Sequence, residues 1–262
     1  MTETPQEWIL WKGYLVFAVL LALFAGERLW PAARAVFKHA AAWRRLGRNL
    51  GLWLINFAIS PLIILPFSIW VSENASGWRP EDWHVSWVLL ADILLLDFLI
   101  YWWHRANHVI PFLWRFHQVH HLDAFLDTTS ALRFHFGEVL LSATARAAII
   151  WLFDIPWPAI VLFEALVLMA ALFHHSNLRL PSDFERGLST LIITPALHWV
   201  HHHALRRHTD SNYGTIFSFW DPLFGSRSSF QRQMDMTIGV ENSGGDQSLL
   251  RLVLRPFQSQ RD

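Results

Sequence analysis

The sequence contains no cysteine. That excludes disulfides, thiolate-bound metals and cysteine-held iron–sulfur clusters, and it leaves the redox compartment open. Charge is scarce: Asp, Glu, Lys and Arg together make up 16% of 262 residues, where a soluble domain carries about 25%. Lys+Arg and Asp+Glu both number 21, so there is no basic excess to meet a nucleic acid. No G-x-G-x-x-G fingerprint opens a nucleotide fold, no haem motif occurs, and no electron-carrier domain is fused to the chain. E-x-x-H does not recur as a pair, so a ferritin-type carboxylate di-iron site has no support.

What is present is apolar surface, tryptophan and histidine. Apolar residues reach 53%, with 16 Trp and 15 His, and mean hydropathy is positive. A membrane-spanning helix needs ~20 mostly apolar residues. Gly13–Ala25 with its flanks, Asn49–Val71 and Val85–Trp103 each meet that length. The run Val139–Phe173 is too long for one span, and Asp154-Ile155-Pro156-Trp157-Pro158 at its centre predicts a turn, hence a helical hairpin. The fold expected is all-α: an integral membrane helical bundle with a cytosol-facing, histidine-rich, metal-binding helical cap. Three regions follow: N-terminal spans and loops over 1–84, a catalytic domain over 85–227 that includes the hairpin at about 139–173, and a polar tail over 228–262. In that tail, 241–248 reads as a loop and 249–257 as a short surface helix.

Charge sets the expected orientation. Arg34, Lys38, Arg44, Arg45 and Arg48 follow the first span without an acid, whereas Glu73, Glu81 and Asp82 oppose Arg79 after the second. The positive-inside rule then places the first loop in the cytoplasm. Alternation of the spans brings every clustered histidine to that same side.

Of the 15 histidines, 13 fall between His104 and His208, whereas His39 and His84 stand alone. His104 and His108 are spaced i, i+4, which puts both rings on one helix face. His117-Gln-Val-His120-His121 and His198-Trp-Val-His201-His202 repeat one H-x-x-H-H pattern, and His135 and His174-His175 lie between them. One metal takes about four to six ligands, so this many imidazoles predicts two metals, with iron, zinc, copper and nickel all chemically open. Asp97 and Tyr101 share a helix face with His104, and a carboxylate there is a candidate to fix the tautomer of a ligating ring. Trp102, Trp103, Trp114, Phe116 and Trp199 are candidates to line an apolar approach or to anchor at the interface.

The runs Asp97–His108, Leu113–His121, Arg133-Phe134-His135, His175-Ser176-Asn177 and Thr194–His202 resemble the sterol desaturase and fatty acid hydroxylase superfamily. So do Asn212-Tyr213-Gly214 and Trp220–Gly225, and the likeness extends over roughly Asp92 to Gly225. The resemblance implies a cytosol-facing di-iron centre that uses O2 to hydroxylate or desaturate a lipid C–H bond. It implies His104, His108, His117, His120, His121, His135, His175, His198, His201 and His202 as metal-binding residues, with Asp97, Tyr101, Asn177, Asn212 and Tyr213 around them. His203 makes a triple where that family shows a pair, and His174, His203 and His208 have no assigned role. Electrons would come from a separate ferredoxin, cytochrome or reductase, meeting the chain at Arg44–Arg48 or at Arg206 and Arg207 unless those cations meet anionic lipid heads instead. A membrane di-zinc hydrolase and a non-catalytic metal-binding protein are the competing readings.

Overall fold

The computed structural model describes residues 5–34, 39–80, 86–243, 245 and 247–258. Lys38, Glu81, Asp82 and His84 lie outside the described residues, as does the side chain of His39. Among the described residues the chain is helical, without a β-strand beyond three isolated bridges.

Among the described residues, five stretches are long and apolar enough to cross a membrane: Glu7–Leu29, Ala40–Glu73, Trp87–Val109, Phe136–Phe153 and Trp157–His175. The chain is a multi-pass membrane protein. The first stretch lies in α1 (Pro5–Leu29), whose face of Leu10, Trp11, Tyr14, Phe17 and Leu21 is exposed, as suits a helix turned to lipid. The second comprises α2 (His39–Ile59) and α3 (Leu65–Glu73), joined by a π-helical turn at Ser60–Ile64. Pro61 and Pro66 bracket that turn, and each lacks the N–H that an α-helical bond needs, so the register loosens there.

α2 begins earlier than hydropathy predicts. Arg44, Arg45 and Arg48 sit on its first turns rather than in a loop, and Arg45 is turned inward and buried. At ~1.5 Å per residue, the 34-residue second stretch is longer than a ~30 Å hydrocarbon layer requires, so its basic start need not lie within one.

α4 (Ser86–Val109) and α5 (Pro111–His121) are separated by Ile110, whose extended backbone and following proline stop one helix and start the next. The hairpin forms where the sequence predicts it. α6 (Phe136–Phe153) ends on Asp154 in the left-handed region, at φ 53°, and α7 (Trp157–His175) runs back. Ala143, Ala147 and Ala159 are buried in this hairpin, where small side chains let backbones approach. Ile150, Ile155, Ile160 and Phe163 pack there with Leu96 of α4.

The ends of the spans are tied separately. Away from the histidines, Arg79 pairs with Asp92 at 2.8 Å and its N–H meets Asp154 at 3.2 Å. At the histidine end, Asn177 accepts from the Ala33 N–H at 2.9 Å and donates to the Ala33 carbonyl at 2.8 Å. Short helices close that end: α8 (Ser182–Leu188), α9 (Pro195–His201), α10 (Arg206–Thr209) and α11 (Trp220–Leu223). α12 (Leu249–Leu254) does not lie loosely on the surface. Its Leu252 is buried with Leu52, Val119 and Leu122, against the second half of α2 and the histidine helix α5.

Candidate metal centre

Among the described residues, nine histidines converge at one end of the bundle in two groups. His104, His108, His117, His121 and His201 form the first; His120, His175, His198 and His202 form the second, with ligand atoms in each group within 4.8 Å of one another. The rings of His121 and His202 stack across the border at 4.2 Å.

Helix geometry explains the division. Residues i and i+4 lie about 40° apart around a helix, whereas i+3 and i+4 diverge by about 100°. On α5, His117 and His121 therefore serve the first group, and His120 turns to the second. α9 does the reverse: His198 and His202 serve the second group, and His201 crosses to the first. α4 adds its i, i+4 pair to the first group and α7 adds His175 to the second. Each H-x-x-H-H helix opens with a proline, Pro111 or Pro195, and the pattern finishes at its C-terminal end.

Outer nitrogens are held by fixed acceptors. Nδ1 of His104 meets the Tyr213 carbonyl at 2.8 Å, His120 that of Arg133 at 3.0 Å, His175 that of Ala171 at 2.7 Å and His201 that of Ser211 at 2.7 Å. Carboxylates take two more: Glu138 holds Nδ1 of His117 at 2.7 Å and Asp210 that of His108 at 3.1 Å. A carbonyl can only accept, so these rings are protonated at Nδ1 and turn an Nε2 lone pair inward. Burial pushes His120, His121, His198, His201 and His202 well below the ordinary value of 6.5, so these rings are neutral at physiological pH, the form in which an imidazole can hold a metal.

One contact has no hydrogen-bonded explanation. Nε2 of His120 lies 2.9 Å from Nε2 of His175, although each ring has already given its single N–H to a carbonyl. Two buried lone pairs at that distance repel unless a cation lies between them. Nε2 of His108 and of His201 likewise have no hydrogen-bond partner. The donor set fits metal ions.

The remaining expected residues have other places. His135 is in neither group: its Nδ1 accepts from the Gly137 N–H and its Nε2 meets the Val253 carbonyl, both at 3.0 Å. Asp97 touches no histidine; it accepts from the N–H groups of Ile216 and Phe217 and from Nε1 of Trp220. The carboxylate role expected of Asp97 falls to Glu138 and Asp210, which are remote in sequence from the rings they hold. Glu138, in the Arg133–Glu138 run, sits one turn into the helix that follows His135, and nothing local to His117 or His108 points to either acid.

The hydroxyl of Tyr101 pairs with Ser226 at 2.8 Å, and Asn177 secures the α1–α7 junction. Asn212, at φ 53°, and Gly214 shape the loop that brings the Tyr213 carbonyl to His104. A Cβ on Gly214 would stand 2.7 Å from the Phe217 carbonyl oxygen, and Asp221 grips the loop through the N–H groups of Tyr213 at 2.7 Å and Gly214 at 3.1 Å. His174 is buried beside His198, with ring centroids 3.9 Å apart, but lies outside both groups. His203 and His208 pack on each other and on Phe230. Trp114 covers His108 and His121; Trp199 is core, packed with Ala33, Leu126 and Ile238.

Sequence comparison agrees with this architecture. The chain is 28% identical to an ornithine lipid hydroxylase of Rhizobium tropici over 71% of this chain and 55% of that one. It is 29% identical to a cholesterol 25-hydroxylase-like protein of Danio rerio over 81% of this chain and 84% of that one. It is also 29% identical to the alkylglycerol monooxygenase of Homo sapiens over 55% of this chain and 31% of that one. The chain thus spans about half the length of the first relative and about a third of the last. No solved structure matches it. The fatty acid hydroxylase profile matches residues 89–226, which carry all nine converging histidines; the chain belongs to the fatty acid hydroxylase family.

Proposed function

We propose that this chain is an O2-dependent oxidoreductase that holds two iron ions in its histidine groups and hydroxylates or desaturates a membrane lipid. The observation that carries the reading is the pair of inward lone pairs on His120 and His175, 2.9 Å apart in a buried site. The facing nitrogens of His121–His117, His198–His175 and His202–His198 lie at 3.1, 3.0 and 3.1 Å, close enough for each pair to share one ion. Imidazole suits iron, zinc, copper and nickel alike; iron is proposed because the relatives are named hydroxylases and a monooxygenase, and imidazole-bound non-haem iron serves oxygenases.

A bound iron pair supplies the oxygen-activating chemistry that oxidises an unactivated carbon. The chain's own residues hold, aim and shield it. Glu138, Asp210 and the four carbonyls lock ring orientation, and burial of His121, His201 and His202 keeps water out. Five and four imidazole nitrogens would hold the two ions. A small cavity between α4, α6 and α7 is lined by Leu96, Leu99, Ile100, Trp103, Ala145 and Phe163 together with Ser142 and Arg146. A lipid substrate is proposed to approach from the bilayer between the spans. The names of the three relatives speak of an ornithine lipid, cholesterol and an alkylglycerol, each an apolar body with a polar end, and the substrate proposed here is of that class.

The direct test supplies 18O2, Fe(II) and a reductant to the membrane-reconstituted protein and follows lipid masses. A lipid carrying one 18O atom, or one that has lost two hydrogens, is expected. Lipid cleavage without O2 would favour the hydrolase instead.

Replacing Glu138 by Gln or Asp210 by Asn leaves the ring count intact but weakens the hold on His117 or His108. Metal affinity is expected to fall about 10–100-fold, measured by competition with a chelator; unchanged affinity would remove both acids from the centre.

The electron donor is proposed to be a separate protein on the cytoplasmic side. Arg45 cannot meet it, being buried. Arg206 is better placed: it is exposed, its guanidinium lies 4.3 Å over Trp114, and Trp114 packs on His108 and His121. With no native cysteine, single cysteines at Asn74 and Glu241 report the topology directly. Glu241 should label from the cytoplasm and Asn74 only from the opposite side; labelling of both from one side would overturn the orientation.

A further inference from the structure

A neutral imidazole has one donor and one acceptor, and His135 has used both. Nδ1 accepts from the Gly137 N–H and caps the start of α6, while Nε2 donates to the Val253 carbonyl of α12. No lone pair remains for a metal.

What these two bonds join is informative. On one side, the first turn of α6 carries Glu138, which holds His117. On the other, α12 and the turn at Arg255–Phe257 reach the histidine helix α5. Leu252 is buried against Val119 and Leu122, and Nε of Arg255 donates to Oε1 of Gln118 at 3.0 Å. The rings of Phe257 and Phe116 meet edge to face at 5.9 Å. Gln118 and Val119 are the two residues inside the His117-Gln-Val-His120-His121 pattern. Three contacts of the C-terminal segment therefore bear on the helix that feeds both metal groups, while Leu249 and Leu252 also pack on Gly51 and Leu52 of α2.

We propose that His135 is a positioning residue and not a ligand, and that residues 248–257 form a brace pressing α5 against α6 to set His117, His120 and His121 in register. The inference rests on the reading of the two groups as a metal pair.

The test titrates Co(II) into the full chain and reads stoichiometry, affinity and the d–d absorption spectrum. His135→Gln keeps a donor that reaches the Val253 carbonyl and is expected to bind two ions with the parental spectrum. His135→Phe keeps the ring but makes neither bond. It should still bind two ions, about 10–100-fold more weakly, and should expose Arg251 and Arg255 to trypsin. Arg255→Ala, acting from the far end of the brace, should reproduce part of that loss. Loss of one ion in His135→Gln would make His135 a ligand and overturn the proposal. So would unchanged Co(II) affinity and spectrum in both His135→Phe and Arg255→Ala, even with lowered melting temperatures, since that is purely structural behaviour. If the unaltered chain takes up fewer than two ions, the metal reading itself fails, and this inference with it.

Discussion

His120→Ala is expected to remove the ion of the second group and to lower turnover by more than about a hundredfold, beyond the 10–100-fold typical of outer partners. The second group has four donors, so one deletion takes a quarter of its bonding. The vacated place cannot be filled by a neighbour. His121 is turned to the first group, and His175, His198 and His202 already belong to the second. His120 itself is over-determined: its Nδ1 is held by the Arg133 carbonyl and its ring stacks on Phe134 at 4.3 Å. His203→Ala is the matched control. That ring adjoins the same motif, but its Nδ1 accepts from the Leu205 N–H and it packs on His208 and Phe230, outside both groups. It should keep both metals and most turnover. Elemental analysis beside lipid turnover measures both variants, and full metal content in His120→Ala would sink the assignment.

The second large effect is on stability. Arg45 gives Nε and Nη2 to Asp123 at 2.5 and 2.9 Å, Nη1 to Asp127 at 2.6 Å, and Nη2 again to the Phe125 carbonyl and Ser130 at 2.8 Å. Asp123 also accepts from Asn49, whose Oδ1 takes a bond from Arg133. Removing one partner from a buried, hydrogen-bonded pair costs about 3–5 kcal/mol, because the other charge stays buried. Arg45→Ala is therefore expected to lower the apparent Tm by roughly 10 °C. Because Asp123 lies two residues beyond His121 and Arg133 holds His120, metal affinity should fall as well. Arg45→Lys should not rescue it, since an ammonium cannot make the forked contact. A melting curve within a degree or so of the parent would show the network to be dispensable.

The same network has an acid limit. Burial alone would raise the Asp123 carboxyl, but Arg45 and Arg133 outweigh it and hold it below 3.8. A depressed folded value stabilises above the unfolded value and is lost as pH falls through the folded one. This contribution should therefore begin to weaken only below pH 3.8.

Arg45 also shows why charge counting reads less than it suggests. In the sequence it is one of a run of cations beside a span; in the fold it is the buried centre of a cap network. His135 is a parallel case. Its flanks fit the motif, yet its direction is set by α6 and α12, which lie on either side of it. The polar tail likewise proved to contain a docked helix, because Leu252 finds a pocket made by residues about 130 to 200 positions earlier.

Composition and spacing alone determined that this chain enters membranes and that its histidines share helix faces. Both are local properties: hydropathy over ~20 residues fixes a span, and the 3.6-residue period fixes which rings lie together. The hairpin turn belongs here too, since its prolines and its left-handed aspartate act within a few residues. Only the tertiary structure decided which ring serves which group, which acids hold them, and which histidine stands aside. Those outcomes depend on how α4, α5, α7 and α9 are set against one another. A rotation of one helix by 100° would exchange His120 for His121 without altering a residue.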